Sequence, residues 1–142
     1  PDDLGKASAA EIEQGWLPGA RLQERLRRVR HAAGVRHLRT VKMGRGIRRI
    51  EIEEETTEEL FDQLWPLTDG CRVTKIRYAV RSQGQAGELL WEIDRFTDRE
   101  LVLAEVELPS EHTEVSLPEW LAPLVVREVT GEDVYVNRNL AR

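Results

Sequence analysis

Residues 89–108 read LLWEIDRFTDRELVLAEVEL. Leu89, Trp91 and Ile93 occupy one phase of a period-two alternation, and Glu92 and Asp94 occupy the other. After a short link at residues 97–100, Val102, Ala104, Val106 and Leu108 alternate in the same way with Glu105 and Glu107. Such alternation gives each strand one apolar and one acidic face. A turn at the link makes the two strands a hairpin and sets Glu92 roughly opposite Glu105. Like charges facing each other across strands cost from a few tenths to about 1 kcal/mol, so positive charge is expected between these acids.

Working outward, the alternation continues through most of the chain. Strands are expected at 11–17, at 22–30 and 35–42 with a turn at 31–34, and at 47–54, 73–80, 88–96 and 101–108. One helix interrupts them. Thr56 and Glu59 have the spacing of a capping box, and Leu60, Phe61, Leu64 and Trp65 form an apolar stripe that stops at Pro66. Pro118 is expected to open a short helical piece, and residues 132–140 a last helical turn or two.

A chain of 142 residues makes one domain, able to bury about two thirds of its unfolded surface. The composition, 40% apolar and 33% charged, is that of a globular protein, and no apolar run reaches the length of a membrane span. The opening residues PDDLGKASAA lack the basic start and apolar core of a signal peptide. Cys71 is the only cysteine, which excludes an internal disulfide or a thiolate metal cluster and makes the cytoplasm the default location. The net charge of −5 conceals a split: residues 21–49 carry eleven Arg and Lys against one Glu, whereas 51–142 carry nine against twenty-one acids. The acid-rich remainder argues against a nucleic-acid binder, and the opposed blocks suit a site that holds cations and anions together.

Two arrangements satisfy the alternation. The charged faces can point to water on a sheet backed by helices, or the sheet can close with its charged face inward. Segregation of sign favours the second. Arg28, Arg30 and Lys42, and then Lys75 and Arg77, make basic strands; Glu51 and Glu53, Glu92 and Asp94, and Glu105 and Glu107 make acidic ones. Basic strands would grip a polyanion, and carboxylates at about 2 Å would hold Mg²⁺ against its phosphate oxygens.

These residues resemble the CYTH superfamily of triphosphate tunnel metalloenzymes. The likeness runs from Glu13 onward: QGWL at 14–17, Arg28-Val-Arg30, Thr40-Val-Lys42, Arg49-Ile-Glu51-Ile-Glu53, Lys75-Ile-Arg77-Tyr78, Trp91-Glu92-Ile-Asp94, Leu103-Ala-Glu105-Val-Glu107, Glu128-Val-Thr130 and Tyr135-Val-Asn137. The resemblance implies an α+β fold: an antiparallel β-barrel tunnel with helices packed outside. It implies metal-dependent hydrolysis of a triphosphate, foremost inorganic tripolyphosphate, with Mg²⁺ or Mn²⁺. Arg28, Arg30, Lys42, Lys75 and Arg77 would bind phosphate, Asp94, Glu105 and Glu107 would hold the metal, and Glu51 and Glu53 would orient basic ligands or a water. The family's E-x-E-x-K signature is absent, since Glu11-Ile-Glu13-Gln14-Gly15 has Gly15 in the lysine's place. QGWL aligns with the family's second strand, so residues 1–142 are read as a single CYTH-like domain lacking its first strand upstream of residue 1.

Arg25, Arg27, Arg36, Arg39, Arg45 and Arg48 are expected to face solvent. His31, His37 and His112 have no ligand spacing, and Trp16, Trp65, Trp91 and Trp120 are packing residues. Alternatives on the same fold are adenylate cyclase or thiamine triphosphatase activity. A non-catalytic module for polyphosphate or a phosphorylated ligand is the alternative of another class.

Overall fold

The computed structural model describes residues 8–19, 22–44, 50–84, 87–108, 116–130 and 132–141. Seven strands form one antiparallel sheet: β1 (Ser8–Leu17), β2 (Gln23–His31), β3 (Gly34–Met43), β4 (Ile50–Glu55), β5 (Arg72–Gly84), β6 (Gly87–Phe96) and β7 (Val102–Val106). Their spatial order is β4-β3-β2-β1-β5-β6-β7. The β2–β3 hairpin turns where expected, helped by Gly34 at φ 135°, a conformation glycine adopts without steric cost. Of the expected strand 47–54, residues 47–49 lie outside the described residues, as do Arg45, Arg48 and His112.

The expected closed barrel is not what the described residues form. The sheet is open, with β4 and β7 as its two edges and no strand between them. All six residues of β4 are exposed, including Ile50 and Ile52. Closure needs partners for both edge ladders, and the described strands supply none.

Cross-strand partners share a face, so the register assigns each strand residue to one side of the sheet. One side, the charged face, carries Gln14 and Trp16 of β1, Arg25 and Arg27 of β2, Thr40 and Lys42 of β3, and Glu51 and Glu53 of β4. It continues through Val73, Lys75 and Arg77 of β5, Glu92 and Asp94 of β6, and Glu105 of β7. The other side carries α1 (Glu58–Leu64), whose Phe61 is fully buried. The Phe61 ring stacks on Trp65 at 5.0 Å, meets His37 at 5.2 Å and lies under the Arg28 guanidinium at 4.4 Å. Further along this side Trp91 and Ile93 pack with Leu121, Tyr78 and Trp120.

The helix begins one residue later than the capping-box spacing suggests. Thr57 is the N-cap, its Oγ1 accepting from the Leu60 amide at 3.0 Å, while the Thr56 amide donates to the His37 carbonyl. Docking to β3 thus takes Thr56 for the sheet and leaves Thr57 to cap. The chain then tightens into a 3-10 turn, Trp65–Thr68, around Pro66. Thr68 fills the space beside Gly15, where an added Cβ would lie 2.6 Å from the threonine side chain. A lysine at position 15 would therefore collide with this turn, and Glu11, Glu13 and Gly15 all lie on the helix-bearing side.

The C-terminal region forms the short helical pieces expected of it, mostly as 3-10 turns. Pro118 leads into a turn and the 3-10 segment Ala122–Leu124, and residues 132–140 hold a 3-10 turn, Asp133–Tyr135, and α2 (Asn137–Leu140). Here α2 packs against the charged face, where Ala141 and Leu140 meet Trp16, Val73 and Phe96. No described helix is long and apolar enough to cross a membrane.

Candidate functional site

The acids that open the sequence problem do face each other, with Glu92 directly opposite Glu105. The charge beside them comes from the chain itself. Arg77 Nε and Nη2 donate to Asp94 Oδ1 and Oδ2 at 2.7 and 2.8 Å, and its Nη1 lies 2.9 Å from Glu92 Oε2. Lys75 Nζ reaches Asp94 Oδ2 at 2.9 Å and Asn137 Oδ1 at 3.1 Å. Two-point binding of a carboxylate by one guanidinium is among the stronger polar contacts a protein makes. Asp94, 3% exposed, is saturated by these two cations.

Burial sets the titration of this cluster. Lys75 is held down to about 8 by loss of hydration, against the opposing pull of Asp94. At Asp94 burial works against the ionised form, but the hydrogen bond from Arg77 and the charge of Lys75 outweigh it and leave the carboxyl below its ordinary value. The hydrogen bond to Asp94 in turn raises Arg77.

Next to this cluster lie Arg25 and Arg27, which were expected to face solvent. Both are partly buried on the charged face. Arg27 Nε donates to Gln14 Oε1 at 3.0 Å, and Arg25 Nη2 to Thr40 Oγ1 at 3.3 Å. Burial lowers Arg27 to about 10, assisted by repulsion from Arg25 and Arg77, and burial lowers Arg25 as well. Lys42 belongs to the same face, 3.9 Å from Glu51. Glu53, exposed on β4, acts on Arg25 through its field.

The structure therefore brings together Lys42, Glu51, Glu53, Lys75, Arg77, Asp94 and Glu105 on one face. It does not bring Arg28 and Arg30 there. Arg28 is opposite Glu13 and His37 on the helix-bearing side, where it binds Asp62 at 2.8 Å, Glu13 at 3.3 Å and His37 at 3.3 Å. Arg30 lies 3.9 Å from Glu13 on that side. The stretch RLRRVR, 25–30, has arginine in both phases, so periodicity alone leaves its facing open, and register with β1 and β3 decides it. Tracking the phase from Gln14 across to Arg27 is the signal that finds Arg25 and Arg27.

The expected metal triad is likewise not assembled. Asp94 is opposite Leu103 rather than Glu105, and Glu107 follows the end of β7 as an exposed residue. Among the described residues no group of three His, Cys, Asp or Glu side chains is placed to hold a metal ion. A carboxylate already neutralised by Lys75 and Arg77 has little charge left for Mg²⁺ or Mn²⁺, so the donor set in this arrangement does not fit a divalent ion.

No protein-family model matches the chain. An inorganic triphosphatase of Nitrosomonas europaea is 34% identical over 144 residues, an alignment that spans 96% of this chain and 87% of the relative. The chain belongs to the CYTH-like inorganic triphosphatase family. Within that family, an inorganic triphosphatase of Acetivibrio thermocellus is 36% identical over 100 residues, covering 68% of this chain and 59% of the relative. The crystal structure of the inorganic triphosphatase NE1496 superposes with a TM-score of 0.61 at 29% identity, over 94% of this chain and 82% of that one. The PH1819 protein of Pyrococcus horikoshii OT3, at 16% identity and a TM-score of 0.51, shares the fold over 79% of this chain and 75% of its own. The family expected from the motif order is the one these relatives define.

Proposed function

We propose that this chain hydrolyses a small triphosphate, foremost inorganic tripolyphosphate, on the charged face of its sheet. The observation that carries the reading is the gathering of Arg25 and Arg27 of β2 with Lys75 and Arg77 of β5, the two strands that flank β1, partly desolvated and facing one way. Family membership supplies the reaction class.

The solvated side of the cluster would bind the non-bridging oxygens of the substrate through guanidinium donors, matching the planar forks of arginine to phosphate. Such groups hold negative charge as the terminal phosphorus is attacked, and positioning with charge stabilisation is most of what phosphoryl transfer requires. Water forms a bond to the terminal phosphorus, the bridging P–O bond breaks, and phosphate and pyrophosphate leave. Glu51 and Glu53, exposed on the same face, are the proposed acceptors of the water's proton. Lys75, sealed by Asp94 and Asn137, contributes charge from beneath the face rather than direct contact. Metal dependence stands as an expectation of the family, and no step here passes through a metal. A closed tunnel, a single CYTH-like domain and a cytoplasmic location belong to the same proposal.

One observation favours a binding-only reading: no three-carboxylate metal site is assembled among the described residues. Phosphate release from tripolyphosphate, compared with ATP and measured with Mg²⁺, with Mn²⁺ and with chelator, separates the two. Release favouring tripolyphosphate supports the hydrolase. Tight tripolyphosphate binding without release supports the binding module.

A further inference from the structure

Arg25, Arg27, Lys75 and Arg77 are held on the charged face in two different ways. Lys75 and Arg77 of β5 are bound by carboxylates, since Asp94 pairs with both and Glu92 with Arg77. Arg25 and Arg27 of β2 are bound by neutral oxygens. Arg27 Nε donates to Gln14 Oε1 at 3.0 Å and Arg25 Nη2 to Thr40 Oγ1 at 3.3 Å, and neither arginine forms an ion pair among the described residues. Glu51 and Glu53 act on Arg25, and Glu53 and Asp94 on Arg27, only through their fields. A paired carboxylate offsets the charge of a guanidinium, whereas a neutral oxygen orients the group and leaves its charge whole.

Gln14 is fully buried in β1, where the register sets it beside Arg27. With Nε tied to it, Arg27 keeps Nη1 and Nη2. Among the described residues neither has a hydrogen-bond partner, and neither is one of the buried atoms that lack one, which are Gln14 Nε2 and Arg25 Nε. Both terminal nitrogens of Arg27 therefore meet solvent and are open to an anion. For stability alone a glutamate at position 14 would serve better. It would bind Arg27 with opposite charge, and it would replace the unmatched Nε2, whose burial costs free energy, with an oxygen among cations. What glutamine preserves is the charge. Arg27, lowered to about 10 by burial and by repulsion from Arg25 and Arg77, is still a full cation at neutral pH.

We propose, on the triphosphate reading of this face, that Gln14 is a positioning residue: a neutral tether that fixes Arg27 at Nε and presents its two terminal nitrogens, with undiminished charge, to the phosphate chain. Thr40, 1% exposed, does the same for Arg25. The β2 arginines then carry the uncancelled positive charge of the face.

Gln14→Glu and Gln14→Met, the latter also combined with Arg27→Met, test the tether. Kd for tripolyphosphate by calorimetry at low and high salt, and Tm, are measured together. Glu keeps the acceptor but adds a counter-ion, so Kd should weaken about tenfold or more and depend less on salt, while Tm holds or rises. Met keeps the charge and drops the acceptor, so Kd should weaken about threefold or more as the guanidinium loses its fixed orientation. In the Arg27→Met background, Gln14→Met should change Kd no further, because its effect passes through Arg27. A purely structural glutamine gives wild-type Kd in the better-paired Glu variant, and that result overturns the proposal. If Glu does not fold, a Met variant with wild-type Kd, or one that weakens Kd equally with and without Arg27, overturns it as well. A wild-type chain that binds tripolyphosphate without hydrolysing it removes the hydrolase reading while the Kd comparison still decides the tether. Absence of tripolyphosphate binding by the wild type overturns both.

Discussion

Replacing Asp94 by Asn probes the centre of the site most directly. Asp94 is 3% exposed, and its two oxygens receive Lys75 Nζ at 2.9 Å and Arg77 at 2.7 and 2.8 Å. The asparagine keeps the shape but brings no charge, so a lysine that is 1% exposed loses its counter-ion. Removing one partner of a buried pair costs about 3–5 kcal/mol, because the other charge remains without compensation. The retained amide oxygen still accepts one hydrogen bond, which places the cost near the lower end, about 3 kcal/mol. For a domain of this size that is a fall in Tm of roughly 10 °C. Thermal unfolding followed by circular dichroism at neutral pH measures it. Adding Lys75→Met to Asp94→Asn should recover part of the loss, since the unpaired cation is then gone. Glu92→Gln, which removes a half-exposed single contact to Arg77, should stay within about 1 kcal/mol. An Asp94→Asn protein melting within 2 °C or so of wild type would refute the view that Asp94 holds the cluster together.

The two faces of β2 separate by function. Arg27→Met should raise KM for tripolyphosphate about tenfold or more with little change in Tm, whereas Arg28→Met, which strips contacts to Asp62, Glu13, His37 and Phe61, should cost about 2 kcal/mol of stability and leave KM unchanged; the reverse pattern would put the site on the other face. Burial lowers Lys75 from 10.5 to about 8, so between those values the folded chain has released a proton that the unfolded chain keeps, and stability rises with pH. Below pH 8 both states hold the proton and the burial cost is felt in full. The Tm of wild type relative to Lys75→Met should therefore climb as pH goes from 8 towards 10, and a flat difference would show that Lys75 titrates normally. Gly15→Ala would place a Cβ 2.6 Å from the Thr68 side chain and should destabilise by about 1–3 kcal/mol, measured by urea unfolding; a neutral result would mean that the Trp65–Thr68 turn yields freely.

What the sequence determines by itself here is local. Period-two alternation places the strands to within a few residues, the Leu60 to Trp65 stripe places the helix, and the motif order places the family. Glu92 opposite Glu105 also follows from the sequence, because the link at 97–100 leaves little choice of register. Tertiary structure decides which phase of an ambiguous strand joins which face. In RLRRVR both phases carry arginine, so only pairing with Gln14 and Leu38 assigns Arg27 to the charged side, and pairing with Glu13 and His37 assigns Arg28 to the other. Tertiary structure also decides what balances Asp94. The sequence shows acids in need of positive charge but not its source, and close packing of β5 against β6 provides Lys75 and Arg77 where a metal was expected. Alternation is a property of one strand, whereas facing and charge pairing depend on neighbours tens of residues away, which come together only when the sheet forms.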